Sequence, residues 1–151
     1  MNTVKKEVAI LAITHGDALA LEILPHEGQE ILSCPGTSKN GINELVSKIL
    51  GTSSANLIQP FGQAVDVIIK PNEVVELVIN VYKVEIPNEA KVQLPTNYSW
   101  FSKKQLAEDP RGRRDTRLYL RLLEDKPLNV QYSEDQRGRW IDATILYWRD
   151  V

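Results

Sequence analysis

Hydrophobic residues in the first part of the chain fall into short runs that indicate strands. Residues 8–14 form a continuous apolar run of strand length, and residues 18–24 form a second one. His15-Gly16-Asp17 between them is typical of a turn, because glycine tolerates positive φ and aspartate bonds its own backbone. Residues 29–34 are a shorter extended segment that ends at Pro35-Gly36. The pattern predicts a strand pair followed by a third strand.

The next segment has the periodicity of an amphipathic helix. Its apolar residues at positions i, i+3, i+4, i+7 and i+8 share one helical face: Ile42, Leu45, Val46, Ile49 and Leu50. Asn40 or Gly41 can cap the start, and Gly51 stands where a left-handed C-terminal residue belongs. A helix of about nine residues is marginal in isolation, so tertiary packing must stabilise it.

Two long strands are predicted after this helix, over residues 63–69 and 73–86, with a turn at Pro71-Asn72. Both faces of the second strand are apolar. One face carries Val75, Leu77, Ile79 and Val81, and the other carries Val78, Tyr82 and Val84. We therefore expect a central strand that is covered on both sides.

Residues 98–106 contain a helix start. Ser102 and Gln105 have the spacing of a capping box, and Phe101 and Leu106 have that of a hydrophobic staple. This segment therefore predicts a helix that begins just after Ser102.

The C-terminal part of the chain leaves two assignments open. Leucines alternate with polar or aromatic residues over 117–122, which favours a strand. Leu118, Tyr119, Leu122 and Leu123 would equally line one face of a helix, so residues 114–124 are either strand or helix. Residues 130–133 and 140–148 predict a hairpin that turns near Arg137-Gly138.

Three tryptophans offer packing or stacking surfaces. Trp100 adjoins the staple, so core packing is a simpler role for it than base stacking. Trp140 and Trp148 share one face of the predicted strand. If that face is exposed, the two tryptophans form an interface patch, and if it is buried, they belong to the core; Ile145 and Tyr147 on the opposite face could equally be the core face.

Composition narrows the class of protein. The 151 residues are 42% hydrophobic and 25% charged, which is typical of one globular domain. A net charge of −2 excludes a protein that is basic over its whole surface, as one that coats nucleic acid would be. Double-stranded nucleic acid is therefore not an expected partner. The single cysteine, Cys34, excludes an intrachain disulfide, and a small buried residue is its simplest interpretation. No apolar run approaches the ~20 residues that span a bilayer, and no signal peptide is evident, so we expect no membrane partner and a cytoplasmic location.

The order of these segments resembles the Nudix (MutT-like) family. Leu-Ser-Cys-Pro-Gly-Thr at residues 32–37 matches its Pro-Gly turn, and Gly41 its loop glycine. Residues 74–86 match its central strand, and Ser99-Trp100-Phe101-Ser102 its later motif. The match covers residues 7–108, which leaves 109–151 for C-terminal strands, or a helix plus a hairpin. The resemblance implies one α+β domain over 1–151, with a mixed β-sheet and flanking helices in an α/β/α sandwich.

The resemblance fails at the catalytic helix of that family. Family members carry an Arg-Glu pair there, followed by two adjacent glutamates and a glycine. Alignment on Gly51 places Glu44-Leu45 at the first pair and Lys48-Ile49 at the second, so Glu44 is the one catalytic candidate. Mg²⁺ needs a set of oxygen ligands, and the loop acids Glu27 and Glu30 could supply some, although solvated loop acids are the simpler interpretation.

Arginines are the candidate ligand-binding residues, because guanidinium groups pair with phosphate oxygens bidentately. Four of them lie in two similar hexapeptides, at residues 108–113 and 134–139, and the fifth directly follows the first hexapeptide. The candidates are Arg111, Arg113, Arg114, Arg137 and Arg139. In the alternative interpretation the acidic neighbours neutralise these arginines in solvated loops; those neighbours are Glu108, Asp109, Glu134 and Asp135.

Three functions remain after these observations. The first is a Nudix-like domain without hydrolase activity that binds a nucleotide or nucleoside diphosphate derivative and needs no cofactor. The second is a divergent, Mg²⁺-dependent pyrophosphohydrolase that cleaves nucleoside diphosphate-linked substrates with relocated metal ligands. The third is a structural or regulatory protein-interaction subunit, which forms a homodimer through its C-terminal strands.

Overall fold

A computed structural model describes residues 2–51, 57–112, 115–138 and 143–151. The strands are β1 (Asn2–His15), β2 (Ala18–His26), β3 (Gln29–Ser33), β4 (Gly36–Ser38), β5 (Gln59–Ile69), β6 (Glu73–Ile86), β7 (Tyr98–Ser102), β8 (Leu128–Asp135) and β9 (Thr144–Asp150). The α-helices are α1 (Ile42–Leu50), α2 (Lys103–Glu108) and α3 (Thr116–Leu122), with a 3₁₀ turn at Pro110–Gly112. Among the residues so described, no helix is long and apolar enough to cross a membrane.

The strands form one mixed sheet in the order β3-β2-β1-β6-β5-β8-β9, while β4 pairs with β1 and β7 with β2. The pairs β1–β6 and β5–β8 are parallel, and the others are antiparallel. The β1–β6 ladder runs without a break from Asn2 opposite Glu73 to His15 opposite Ile86.

Helices cover both faces of this sheet. On the α1 side, Val46 and Ile49 pack with Leu11 and Val84 in one hydrophobic cluster. On the α3 side, a second cluster contains residues of α2 and α3, including the fully buried Leu122. The molecule is thus an α+β fold with the predicted α/β/α layers.

Helix α1 has the predicted bounds, Ile42–Leu50, and buries the predicted face. Its N-cap is Gly41, which makes no side-chain capping bond. Gly51 has a positive φ of 91°, but its ψ of 161° lies outside the left-handed helical region. The left-handed cap predicted at Gly51 is therefore wrong, because the ψ of Gly51 is extended rather than helical.

Strand β6 has the central position that its two apolar faces predicted. Ile79 and Val81 pack into the α3-side cluster, whereas Tyr82 and Val84 pack on the α1 side.

The capping box before α2 is confirmed. The Gln105 amide donates to Ser102 Oγ at 3.2 Å, and the Ser102 amide donates to Gln105 Oε1 at 2.8 Å. The five residues before the helix form β7, which pairs antiparallel with β2 and was not predicted.

Residues 116–122 are helical, so the strand assignment favoured by alternation is wrong. Leu118, Tyr119 and Leu122 lie on one helical face and are all buried against the sheet. Burial of that face outweighs the alternating pattern, which in a strand would bury only the leucines.

The predicted C-terminal hairpin pair is present as antiparallel β8 and β9. A register shift between Ser133 and Glu134 leaves Leu146 without an opposite residue. Because of this bulge, Ile145 and Trp148 both pack against the α3-side cluster rather than on opposite faces. Trp140 lies outside the described residues.

Candidate functional site

A cavity of about 300 Å³ lies between the sheet and α3. Strands β1, β5, β6 and β8 form its floor, α3 forms one wall, and the turn after β3 forms its rim. We call it the α3 cavity. It is lined by Val8, Ile10, Ser33, Cys34, Asp66, Ile68, Leu77, Ile79, Asp115, Leu118, Tyr119 and Tyr132.

Six of the twelve lining residues are aliphatic, and the polar groups are two carboxylates, Asp66 and Asp115, together with three hydroxyls and the Cys34 thiol. Asp66 is only 1% exposed, and Asp115 joins it from the N-terminal end of α3. The Tyr119 hydroxyl donates to the Leu32 carbonyl oxygen at 3.0 Å, which holds α3 against the rim. An apolar cleft with a few placed polar groups is typical of small-molecule sites.

Asp66 was missed as a site residue by the sequence analysis. It lies in β5 between the buried residues Ala64 and Ile68 on the same face of the strand. Burying a carboxylate on a strand face costs free energy unless the fold supplies interactions for it. An aspartate within the apolar face of a predicted strand could therefore have indicated a site residue.

Cys34 lines the cavity as a buried thiol, as predicted. Its Sγ donates to the Leu11 carbonyl oxygen at 3.0 Å. Burial, and secondly the Asp115 charge, raise the pKa of the Cys34 thiol well above its usual range. Because the thiolate is the nucleophilic form, Cys34 is not an activated nucleophile.

An aromatic stack extends outward from Tyr132, a lining residue of the cavity. The Trp148 ring lies nearly parallel to Tyr132, with centroids 5.0 Å apart and an interplanar angle of 16°. The Arg117 guanidinium lies 4.7 Å above the centroid of Trp148. The stack joins β8, β9 and α3, and so fixes the wall of the cavity on that side.

The polar face of α1 carries few ligands for a cation. Glu44 is exposed, and Lys48 follows one turn later. Glu30 is held elsewhere by Arg111 at 3.3 Å, and Glu27 lies 3.9 Å from His26. In the parts of the chain that the structure covers, no three His, Cys, Asp or Glu side chains are grouped to hold a metal ion. One carboxylate beside an ammonium does not fit Mg²⁺.

Arg111 lies in the 3₁₀ turn and forms an ion-pair network. Its Nη2 is 2.8 Å from Asp109 Oδ2, and its Nη1 is 3.3 Å from Glu30 Oε1. The hydrogen bonds from Arg111 lower the pKa of Asp109, and those with Asp109 raise the pKa of Arg111. The network joins the segment after α2 to strand β3.

Arg137 follows β8, and its Nε donates to Asp135 Oδ2 at 3.0 Å. Arg111 and Arg137 are thus both paired with an aspartate two residues earlier, as the neutralised-loop interpretation expects. Neither lines the α3 cavity. Arg113, Arg114 and Arg139 lie outside the described residues, and ligand binding by these arginines stays a prediction.

A larger polar cleft, of about 680 Å³, lies at the opposite end of β1 and β6. Its most buried charge is Lys83, whose Nζ donates to the Glu124 carbonyl oxygen at 3.2 Å and lies 4.5 Å from the Phe61 ring centroid. These contacts hold the segment after α3 against the sheet. A structural role therefore explains why the Lys83 side chain is buried.

Comparison with known proteins identifies the fold. No family model and no curated protein matches the sequence. The structure is similar to that of a MutT protein from Bacillus halodurans, with a TM-score of 0.62, 15% identity and coverage of 95% of this chain and 96% of that one. It is also similar to the C-terminal domain of mouse MUTYH, solved with human PCNA, at a TM-score of 0.58, 14% identity and coverage of 80% and 88%.

A third similar structure is the Nudix domain of Shewanella oneidensis NrtR, complexed with ADP ribose. The TM-score is 0.50 at 11% identity, and the alignment covers 81% of this chain and 86% of that domain. The chain therefore has the Nudix fold, which the order of its segments predicted.

Proposed function

We propose that this Nudix-fold protein binds a nucleotide or nucleoside diphosphate derivative in the α3 cavity and does not hydrolyse it. The observation that carries the proposal is helix α1. It keeps the buried face that the fold needs, with Ile42, Val46 and Ile49 in the core, and carries one acidic residue, Glu44.

Phosphoanhydride cleavage in this fold depends on a divalent cation that neutralises the phosphates and activates water. Glu44 is one exposed carboxylate, and the ammonium of Lys48 one turn later repels a cation. The helix therefore lacks the donor set for Mg²⁺ or Mn²⁺.

The α3 cavity supports the binding part of the proposal. Its volume of about 300 Å³ lies at the lower end of the range for ligand pockets, roughly 300–1,000 Å³. Aliphatic walls suit the faces of a heterocyclic base, and Asp66 and Asp115 accept hydrogen bonds from its N–H groups. No lysine or arginine is among its described lining residues, so the phosphates of the ligand would lie outside it. The similar NrtR domain binds ADP ribose.

Calorimetry with ADP ribose, ADP and GDP tests binding, and phosphate release with Mg²⁺ or Mn²⁺ tests hydrolysis. We expect saturable binding of at least one ligand without turnover, and no change in either property in Glu44→Gln. Metal-dependent turnover that Glu44→Gln abolishes would instead establish the divergent hydrolase.

A matched pair of variants tests the location of the ligand. Val8→Phe fills the α3 cavity, whereas Val78→Phe makes the same change at a half-buried position on the other face of the sheet. We expect Val8→Phe to weaken binding about tenfold or more, equivalent to at least ~1.4 kcal/mol, and Val78→Phe to leave it unchanged. Equal effects of the two variants would place the ligand elsewhere.

A further inference from the structure

Strand β9 is the last strand of the sheet and, in the described structure, pairs on one side only, with β8. The Val151 amide donates to the Asn129 carbonyl oxygen, so this amide points toward β8. Backbone groups alternate in direction along an antiparallel strand. The amides of Trp148 and Asp150 therefore point away from β8, toward a free sheet edge.

Exposed apolar side chains concentrate at this edge. Within the described ranges four large hydrophobic residues are exposed, and three of them lie on or next to β9: Leu146 at 53%, Tyr147 at 47% and Val151 at 66%. The fourth is Leu57, at 41%, before β5. Leaving an apolar strand edge in water is unfavourable and invites pairing with another strand.

At the other end of the strand order, β3 is protected against pairing with another strand, whereas β9 has less protection. Strand β3 is only five residues long and presents Glu30, which is bound to Arg111. Short length and charge are the usual protections of an edge strand. Strand β9 has seven residues, and its charged residues, Arg149 and Asp150, lie at its C-terminal end. The five residues before them carry no charge and no proline, and only the bulge at Leu146 interrupts them.

The residues of β9 are complementary to a second copy of themselves. In an antiparallel pair centred on Trp148, each Trp148 amide meets the Trp148 carbonyl of the other copy. Tyr147 then lies opposite Arg149 of the other copy, twice by symmetry. The two share a sheet face, since their partners on β8 are Ser133 and Gln131. A guanidinium beside a tyrosine ring is attractive, and no like charges lie opposite each other.

We propose that β9 pairs with β9 of a second copy of this chain, so that the sheet continues across a twofold axis. The interface lies at the last strand of the sheet, and its existence does not depend on ligand binding or on the proposed function. It is an isologous contact, in which both copies use the same strand.

Sedimentation velocity over a range of concentrations tests this dimer. We expect wild-type protein to form dimers as concentration rises and Tyr147→Lys to stay monomeric, because the new ammonium would face Arg149 of the other copy. Leu57→Lys is the matched control, since it also replaces an exposed apolar residue by lysine, and it should dimerise like wild type. A wild-type monomer from about 1 μM to 1 mM, or equal losses in both variants, would overturn the proposal.

Two further measurements test the pairing register. Adding Arg149→Glu to Tyr147→Lys should restore the dimer, because opposite charges then face each other across the axis. Hydrogen exchange at the Trp148 amide should slow with rising protein concentration, while the Tyr147 amide, which points toward β8, should not change. A dimer without these two responses would contradict pairing through β9.

Discussion

Gly62 is held at a φ of 144° by a bulge in β5, at the point where this strand meets β8. A Cβ atom built on it would lie 1.8 Å from the Leu128 carbonyl oxygen. Real atoms cannot approach that closely, so a side chain there must push two paired strands apart. This position therefore requires glycine both for its backbone conformation and for the close approach of β8.

Gly62→Ala should lower the free energy of unfolding by about 3 kcal/mol or more, because both strain and a backbone clash are introduced. Urea denaturation measures the loss. Gly138→Ala is the control, since a Cβ there would meet nothing within 4 Å, and its effect should stay within about 0.5 kcal/mol. Similar losses in the two variants would contradict the close approach.

The buried thiol of Cys34 makes stability depend on pH on the alkaline side. Its folded pKa is raised by burial, so the folded state retains this proton when the unfolded chain loses it, above about pH 8.5. The contribution of this group is fully present below that pH and declines as pH rises, by up to about 1.4 kcal/mol per pH unit.

We expect Cys34→Ala to lose less stability than wild type between about pH 8 and pH 9.5. Urea denaturation at several pH values in this window gives the slope of the unfolding free energy against pH for each protein. The two slopes are compared, so a difference in absolute stability does not matter. The pKa of Tyr98 is also raised, to about 12, but its unfolded value near 10 places its effect at higher pH. Parallel slopes for the two proteins would show that Cys34 does not titrate as inferred.

At the scale of elements, α2 illustrates how a local signal can determine where a helix begins. The helix has only six residues, and the Ser102–Gln105 capping box satisfies two backbone N–H donors at its start, those of Ser102 and Gln105. Its position matters because Leu106, 1% exposed, packs from it into the α3-side core.

Ser102→Ala should destabilise the protein by about 1 kcal/mol through loss of the cap. Lys104→Ala, at an exposed position of the same helix, should change stability by less than about 0.5 kcal/mol. Thermal and urea unfolding of the two variants make the comparison. If Ser102→Ala matched Lys104→Ala, the cap would not limit the stability of this helix.

Elements with strong local signals were predictable from the sequence, and those decided by their partners were not. Helix α1 has a continuous apolar face and flanking glycines, so its bounds could be read directly. Residues 116–122 fit either period, and only packing against the sheet selects the helix. Strand β7 depends on pairing with β2, a contact that no local pattern encodes.

The candidate site also has one part that could be predicted from the sequence and one part that could not. The presence of a single acidic residue in α1 was visible in the sequence, because it concerns residue types at known spacing. The α3 cavity was not visible. Its polar residues Ser33, Asp66 and Asp115 are far apart in the sequence and meet only through the strand order and the packing of α3.

At the scale of the whole molecule, the sheet separates two hydrophobic clusters. Ile49 belongs to the cluster under α1, and Leu122 to the one under α3. Side chains without shared partners contribute independently to stability. We therefore expect the two layers to lose stability additively, even though they unfold together.

Ile49→Val should cost about 0.5–1.5 kcal/mol and Leu122→Ala about 2–5 kcal/mol. The double variant should equal their sum within about 0.5 kcal/mol in urea denaturation. A coupling larger than about 1 kcal/mol would mean that the sheet transmits packing changes from one layer to the other.

The long parallel pairing of β1 with β6 has a consequence for synthesis of the protein. Each residue of β1 pairs with one that lies 71 positions later, as from Asn2 to Glu73. At roughly 5–20 residues per second, the ribosome adds those residues in about 4–14 s. During this time the apolar half of β1, residues 8–13, has its short pairings with β2 and β4 and its packing against α1 available, but not its longest partner. We therefore expect the nascent chain to be bound by chaperones that recognise extended apolar segments until β6 has emerged from the ribosome.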